Sequence, residues 1–253
     1  MAHKVFLDAG HGGRDSGAAK YITEKKVNLV MALACRDYLE EHGVKVKMSR
    51  TSDKDTTAAG IIKACNSFDP ELAVSIHNNA GGGDGFEVYH TISGGKGKML
   101  AKNIETEVKK IGQNSRGLKT KKGSNGDYYF FIRETNCPAV ICEGVFVDNK
   151  KDAAQADTKK EQRAFGYAYA RGILKTLGVK DKGLASSSTD KKSSFKVKVT
   201  ADELNIRKGA GTNYDVVGSI KDKGIYTITD VNGKWGKLKS GKGWINLNYT
   251  KKL

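Results

Sequence analysis

The chain has 253 residues, 38% of them hydrophobic, enough for one sizeable core and a smaller module. Its 44 basic and 28 acidic residues give a formal charge of +16, a field that favours polyanionic partners. No stretch approaches the roughly 20 apolar residues of a membrane span, so no integral membrane association is expected.

The first strand is read at KVFLD, Lys4–Asp8, and it empties into a turn, AGHGG, that places His11 just past the strand's carboxyl end. Asp8 breaks the only early apolar run, so no signal peptide is expected and synthesis in the cytoplasm is. A helix follows over EKKVNLVMALACRDYLEEHG, with Val27, Val30, Met31, Leu33, Ala34 and Leu39 at helical spacing. His42–Gly43 ends it, a last-turn cation before a glycine stop. VKVKM reads as a strand, TTAAGIIKACNSF as a short helix, and ELAVSIH and DGFEVYH as strands. GKMLAKNIETEVKKIG is an amphipathic helix, PAVICEGVF a buried strand, and KKEQRAFGYAYARGILKTLG the closing helix. Alternation of this kind predicts an α/β domain over residues 1–178, with a twisted, mainly parallel or mixed sheet flanked by helices. The four cysteines, Cys35, Cys65, Cys137 and Cys142, lack metal-ligand spacing and read as buried reduced thiols.

From Val179 the composition turns to Ser, Lys and Asp, so residues 179–194 read as a flexible linker. Short strands separated by turns occupy 195–253, with a hairpin signal at Asn232–Gly233. This piece is a small all-β unit, barrel-like, with 12 basic and 5 acidic residues. Positive charge is therefore densest there.

Four polar residues stand at element ends: His11, Glu24 opening the first helix, His77 ending AVSIH, and Glu143 ending PAVICE. Two histidines and a carboxylate are a common zinc set, and a second carboxylate nearby can move a proton. Each alone has a plainer explanation. Glu24 suits the positive end of a helix dipole, and His77 could be a satisfied core histidine. Glu143 is the exception, because a carboxylate ending so apolar a strand is costly without a partner or a function. His90 reads as a surface histidine on an edge strand, and His3 as exposed.

LDAGHGGRDSGA, Glu24, SIHNNA and PAVICEGVFVDN occur in that order and resemble the zinc-dependent N-acetylmuramoyl-L-alanine amidases of type 3. The resemblance covers about residues 3–177. It implies one zinc ion held by His11, Glu24 and His77, with Glu143 as the catalytic carboxylate that takes a proton from water and returns it to the leaving amine. The bond cleaved would join muramic acid to the L-alanine of the stem peptide. Ser16 stands where many relatives carry proline, and EGVFVDN replaces a commoner EGGFxSN. Asn78, Asn79 and Arg133 are candidates for substrate contact. No inserted regulatory helix is read between His77 and Glu143.

LNIRKGAGT and GWI resemble the bacterial SH3 (SH3b) modules that accompany wall enzymes. That implies wall binding, with Tyr214, Trp235 and Tyr249 as candidate contacts and Trp244 expected in the core. Together the two resemblances point to a phage endolysin acting on peptidoglycan of Gram-positive bacteria after release. A host autolysin and a non-catalytic wall-binding protein are the alternatives. A nucleic-acid partner is not expected, since no recognition helix or base-stacking motif stands out.

Overall fold

Strands whose alternate residues on both faces are Val, Leu, Ile and Phe need cover on both sides, and the helices between them supply it. The computed structural model describes residues 2–183, 194–212, 214–232 and 234–253, and the chain divides into two units, Met1–Leu184 and Ala185–Leu253. The first contains β1 (Lys4–Ala9), α1 (Glu24–Glu41), β2 (Lys45–Met48), α2 (Ala58–Phe68), β3 (Leu72–Asn79), β4 (Phe86–His90) and α3 (Gly95–Lys110). It continues with β5 (Ser115–Lys119), β6 (Lys122–Gly123), β7 (Gly126–Asp127), α4 (Phe130–Glu134), β8 (Ala139–Phe146), α5 (Lys150–Ala153) and α6 (Lys159–Leu177).

Six of these strands form one mixed sheet in the order β2-β1-β3-β8-β4-β5. Neighbours from β2 to β8 run parallel, β4 runs antiparallel to β8, and β5 parallel to β4. The expected mixed α/β sandwich is therefore what forms. One sheet face, with Val5, Leu7, Val74, Ile76 and Cys142, packs with Met31, Ile104, Phe165 and Tyr169 of α1, α3 and α6. The other, with Phe6, Ala73 and Ile141, packs with Ile61, Cys65 and Phe131 of α2 and α4. Those two helices have 11 and 5 residues, so this second layer is the thinner one.

Helix ends follow the sequence chemistry. Thr158 and Glu161 form a reciprocal capping box at the start of α6, and Gly178 ends it in the left-handed conformation. His42 is the C-cap of α1, its Nδ1 bonded to the Tyr38 carbonyl at 2.8 Å. All four cysteines are free; Cys137 is half-buried and the others buried.

Two expectations for the first unit change. β5 was not anticipated, because SRGLK is a charged, half-exposed strand without alternation. His90 is not on an exposed edge: β4 lies between β8 and β5, and His90 is only 6% exposed. Because β4 is antiparallel, His90 pairs with Val140 while Glu87 pairs with Glu143, which puts His90 at the far end of the strand from the candidate site. Most of the expected linker, residues 184–193, lies outside the described residues. Its first residues are anchored to the first unit: Val179 packs against the core, and Asp181 accepts a 2.7 Å bond from the Tyr38 hydroxyl.

The second unit is a seven-stranded antiparallel sheet, β9 (Phe195–Val199), β10 (Leu204–Arg207), β11 (Val216–Ile220), β12 (Ile225–Asn232), β13 (Trp235–Leu238), β14 (Trp244–Asn246) and β15 (Thr250–Lys252). Their order is β11-β10-β14-β13-β12-β9-β15. β12 and β13 pair as a hairpin whose Gly233 lies outside the described residues. Val197, Val199, Ile206, Ile228, Leu238 and Ile245 form its core. Trp244 is not part of it. In β14 the alternation turns Ile245 inward, so Trp244 is half-buried on the opposite face, in register with Arg207 and Lys237.

Gly166 marks the closest approach of α6 to α1: a Cβ there would overlap the Met31 carbonyl and lie 2.7 Å from the Ala34 Cβ. Gly166→Val is expected to destabilise the first unit by about 1–3 kcal/mol, read as a lower urea midpoint. An unchanged midpoint would mean that the two helices separate at no cost.

Candidate active site

Parallel strands bring their carboxyl ends to one edge, and that is where the predicted residues meet. β1 ends in the turn carrying His11, β3 carries His77, and β8 carries Glu143 in direct register with His77. Glu24 enters from the first turn of α1. His11 Nε2 lies 3.1 Å and His77 Nδ1 3.0 Å from the same Glu24 oxygen, Oε1. One donor atom from each of the three lies within 4.8 Å of the others. Two imidazoles and a carboxylate converging in this way fit one divalent zinc ion in donor type and in reach.

The glycines of the opening motif have a direct reason. A Cβ on Gly10 would sit inside the His77 ring, and one on Gly17 would lie 2.5 Å from Glu24 Oε2 and 2.8 Å from His11 Cδ2. His11 itself holds φ 61°, a left-handed conformation that costs a non-glycine residue about 1–2 kcal/mol. Its Nδ1 is 2.8 Å from Asp15 Oδ2.

Burial alone would raise the Glu24 carboxyl, but its bonds to His11 and His77 outweigh that and hold it far below the usual carboxylate range. The bond to Glu24 likewise lifts His11 to about 9. For His77, burial pulls downward and is overcome by the Glu24 bond and the charge of Glu143. Glu143 behaves oppositely. Burial pushes it up to about 7, and it has no hydrogen-bond partner among the described residues. It borders a cavity of about 180 Å3 together with Asp8, Ser75, His77, Ile141, Tyr129, Phe130 and Phe131. A carboxyl against such apolar walls, poised near neutrality, can both take and give a proton.

The other candidates separate. Asn78 is 3% exposed and faces the α1 side: its Nδ2 donates to Asn28 Oδ1 at 2.7 Å and its Oδ1 accepts from the Val145 amide at 3.0 Å. Its backbone N–H reaches Glu24 Oε1 at 3.2 Å. Its side chain is thus engaged inside the fold, where it supports Glu24. Asn79 donates to Glu87 Oε2 at 3.1 Å and caps its own turn. Arg133 donates to the Asp127 and Tyr128 carbonyls, both at 2.9 Å, and borders a separate cleft with Lys122 and Tyr128. Trp235 and Tyr249 border one groove of the second unit with Arg207; Tyr214 is exposed and packs against Gly209.

Two residues escaped the sequence reading. Asp8 is buried, accepts from Ser75 Oγ at 2.6 Å through Oδ2, and has no partner at Oδ1 among the described residues. Glu87 lies beside Glu143 in the sheet and is held by Arg116 at 2.6 Å. Asp8 had a visible signal, since an acidic residue closes the apolar run of the first strand. Glu87 had none, because its pairing with Glu143 depends on the direction of β4.

Chemically this is a hydrolytic centre, with one part able to hold a divalent ion and another able to move a proton. Residues 5–175 match the family model Amidase_3, N-acetylmuramoyl-L-alanine amidase. The chain is 34% identical over 206 residues to the N-acetylmuramoyl-L-alanine amidase CwlM of Bacillus licheniformis, covering 79% of each. To the endolysin of Bacillus phage SPP1 it is 36% identical over 211 residues, covering 79% of this chain and 76% of the phage protein. The catalytic domain of the CwlV amidase from Bacillus (Paenibacillus) polymyxa var. colistinus superposes with a TM-score of 0.64 at 30% identity, covering 70% of this chain and 99% of that one. The chain belongs to the N-acetylmuramoyl-L-alanine amidase family and is a peptidoglycan amidase.

Asn78→Ala strands the Val145 amide and the Asn28 carbonyl oxygen in the interior. It is expected to cost about 1–3 kcal/mol for each group left unsatisfied, measured by urea unfolding. An unchanged midpoint would mean that water replaces the amide.

Proposed function

We propose that this chain cleaves the amide between N-acetylmuramic acid and L-alanine with one zinc ion held by His11, Glu24 and His77, and that it acts as a phage endolysin on Gram-positive walls. The observation that carries the reading is the convergence of His11 and His77 on one Glu24 oxygen, with Glu143 in register beside His77. A zinc ion bound there supplies Lewis acidity toward the scissile carbonyl and the attacking water. Glu143 takes the water's proton at its carboxylate and hands it to the departing alanine nitrogen. A group near 7 is suited to both halves of that transfer, being neither too weak a base nor too weak an acid. Ile141 and Phe131 line the same cavity as Glu143. Similarity to the SPP1 endolysin and to Bacillus amidases supports the origin and the wall type.

The second unit, as an SH3b-like module over 195–253 after a linker at 179–194, is proposed to hold the enzyme on the wall. Its aromatic face, with Trp235, Trp244 and Arg207, supports that role, as does the groove of Trp235 and Tyr249. A second feature is electrostatic. Lys198 on β9 stands directly opposite Lys251 on β15, and Lys196 is next but one along β9. None of the three has a carboxylate within salt-bridge distance among the described residues. Like charges placed opposite each other are unfavourable, and an anionic wall polymer relieves that repulsion. Tethering such a binder raises the enzyme's local concentration on an insoluble substrate.

Digestion of purified peptidoglycan, followed by end-group analysis, is expected to yield new L-alanine amino termini without new reducing sugars. Chelation is expected to abolish the activity and zinc to restore it. Glu143→Gln is expected to lose about 10²–10⁴-fold in turnover while still binding one zinc ion; activity within tenfold of the parent would remove Glu143 from this role. Reversing Lys198 and Lys251 to glutamate removes roughly 1 kcal/mol of attraction per lysine at an anionic surface. Wall retention at moderate salt should then fall more than about tenfold, and unchanged retention would leave binding to the Trp235 face.

A further inference from the structure

Arg50 heads the fully buried side chains among the described residues, at 1% exposure, and the reaction makes no use of it. Among those residues no carboxylate lies within salt-bridge distance of it. All of its hydrogen bonds go to backbone carbonyls: Nε to Ala9 at 2.7 Å, Nη2 to Gly10 at 3.0 Å and to Lys25 at 2.8 Å, and Nη1 to Ser52 at 3.2 Å. Burial draws its pKa downward, the expected effect of desolvating a cation. A hydrophobic residue would fill this volume at lower cost, so the placement calls for a reason. The reason lies in its acceptors. Ala9 and Gly10 lead into His11, and Lys25 directly follows Glu24.

The rest of the segment acts on the same two elements. Asp53 accepts from the Gly13 amide at 2.7 Å with one oxygen and from Lys25 Nζ at 2.9 Å with the other. Lys25 Nζ in turn donates to the Gly13 carbonyl at 2.6 Å. Ser49 Oγ accepts from the Ala9 amide at 3.2 Å, and Asp55 from the Arg14 amide at 2.7 Å. Both flanks of His11, and the helix turn that carries Glu24, are therefore held from Ser49–Asp55. His11 needs such restraint, because its left-handed backbone is strained unless its surroundings over-determine it.

We propose that Arg50 and Asp53 are positioning residues that fix the His11 turn against the Glu24 helix and so preset two of the three zinc donors before the ion arrives. This rests on the zinc reading of the site given above. The guanidinium is suited to the task because it is a rigid planar fork; a lysine carries the same charge on a flexible stem and cannot span Ala9, Gly10, Lys25 and Ser52 together. Asp53 is the outer member. Its carboxylate is half-exposed, so replacing it perturbs the clasp without opening the core.

The test uses the full chain stripped of metal, with zinc affinity read by competition against a chromophoric chelator. Cobalt absorption reports donor geometry, and apo-protein melting reports the fold. Arg50→Lys is expected to weaken zinc binding about 10–100-fold, the usual range for groups that orient metal ligands. Asp53→Asn should weaken it several-fold and alter the cobalt spectrum, with an apo melting temperature close to the parent's. Asp37→Asn, on the outer surface of α1, serves as the control and should match the parent. Zinc affinity within twofold of the parent in Asp53→Asn, together with an unaltered cobalt spectrum, would overturn the proposal even if Arg50→Lys failed to fold. Failure of the parent chain itself to bind zinc would instead overturn the metal reading, which separates the two.

Discussion

A carboxylate that is 4% exposed must be surrounded by donors, and Glu24 draws them from three separate segments of the first unit. Its Oε1 faces His11, His77, Asn28 and the Asn78 amide; its Oε2 accepts from the Ala18 amide at 2.9 Å. Those groups come from the loop between β1 and α1, the second turn of α1 and the carboxyl-terminal part of β3. None can move alone without leaving charge unpaired in the interior. The parallel pairing of β1 and β3 follows from the same need, because only parallel neighbours bring both carboxyl ends to the end of α1 where Glu24 stands.

Two glutamates of identical chemistry are driven apart by their surroundings. Glu24 is compensated by imidazoles and amides and stays ionised, while Glu143 meets Phe131 and Ile141 and rises to about 7. This is the general pattern by which one site assigns separate roles to two carboxylates. Glu87 adds to it. Its charge, one strand from Glu143, opposes ionisation there, and Arg116 keeps Glu87 itself in place.

What the sequence revealed and what it hid divide along a physical line. Strong periodicity made the strands and long helices legible, and His11, Glu24, His77 and Glu143 were visible because each closes an apolar run or opens a helical one in the sequence, although β3 and β8 run on past His77 and Glu143 to Asn79 and Phe146. Residues whose meaning depends on a distant partner were not legible. Arg50 is one lysine or arginine among 44 in the sequence, and only the fold shows that its acceptors are carbonyls beside His11 and Glu24. Asn78 directly follows His77 and so invited a substrate role, yet strand alternation turns it to the opposite face. The same alternation removes Trp244 from the core, because only one of Trp244 and Ile245 can face inward. His90 was misplaced because β5, the charged strand that covers that edge of β4, shows no alternation in the sequence.

The unequal cover of the two sheet faces explains where chemistry is possible. Asn78 and Ile76 fall on the side where α1, α3 and α6 pack against the sheet. His77 and Glu143 fall on the other side, beneath an 11-residue and a 5-residue helix, and there a cavity remains. A one-residue shift of β3 or β8 would exchange these sets and bury His77 or Glu143 against the helices. Register in the two central strands therefore decides whether His77 and Glu143 reach the cavity at all. The interior bonds of Asn78 to Asn28 and Val145 hold that register, because they can form only when the histidine beside it faces the open side.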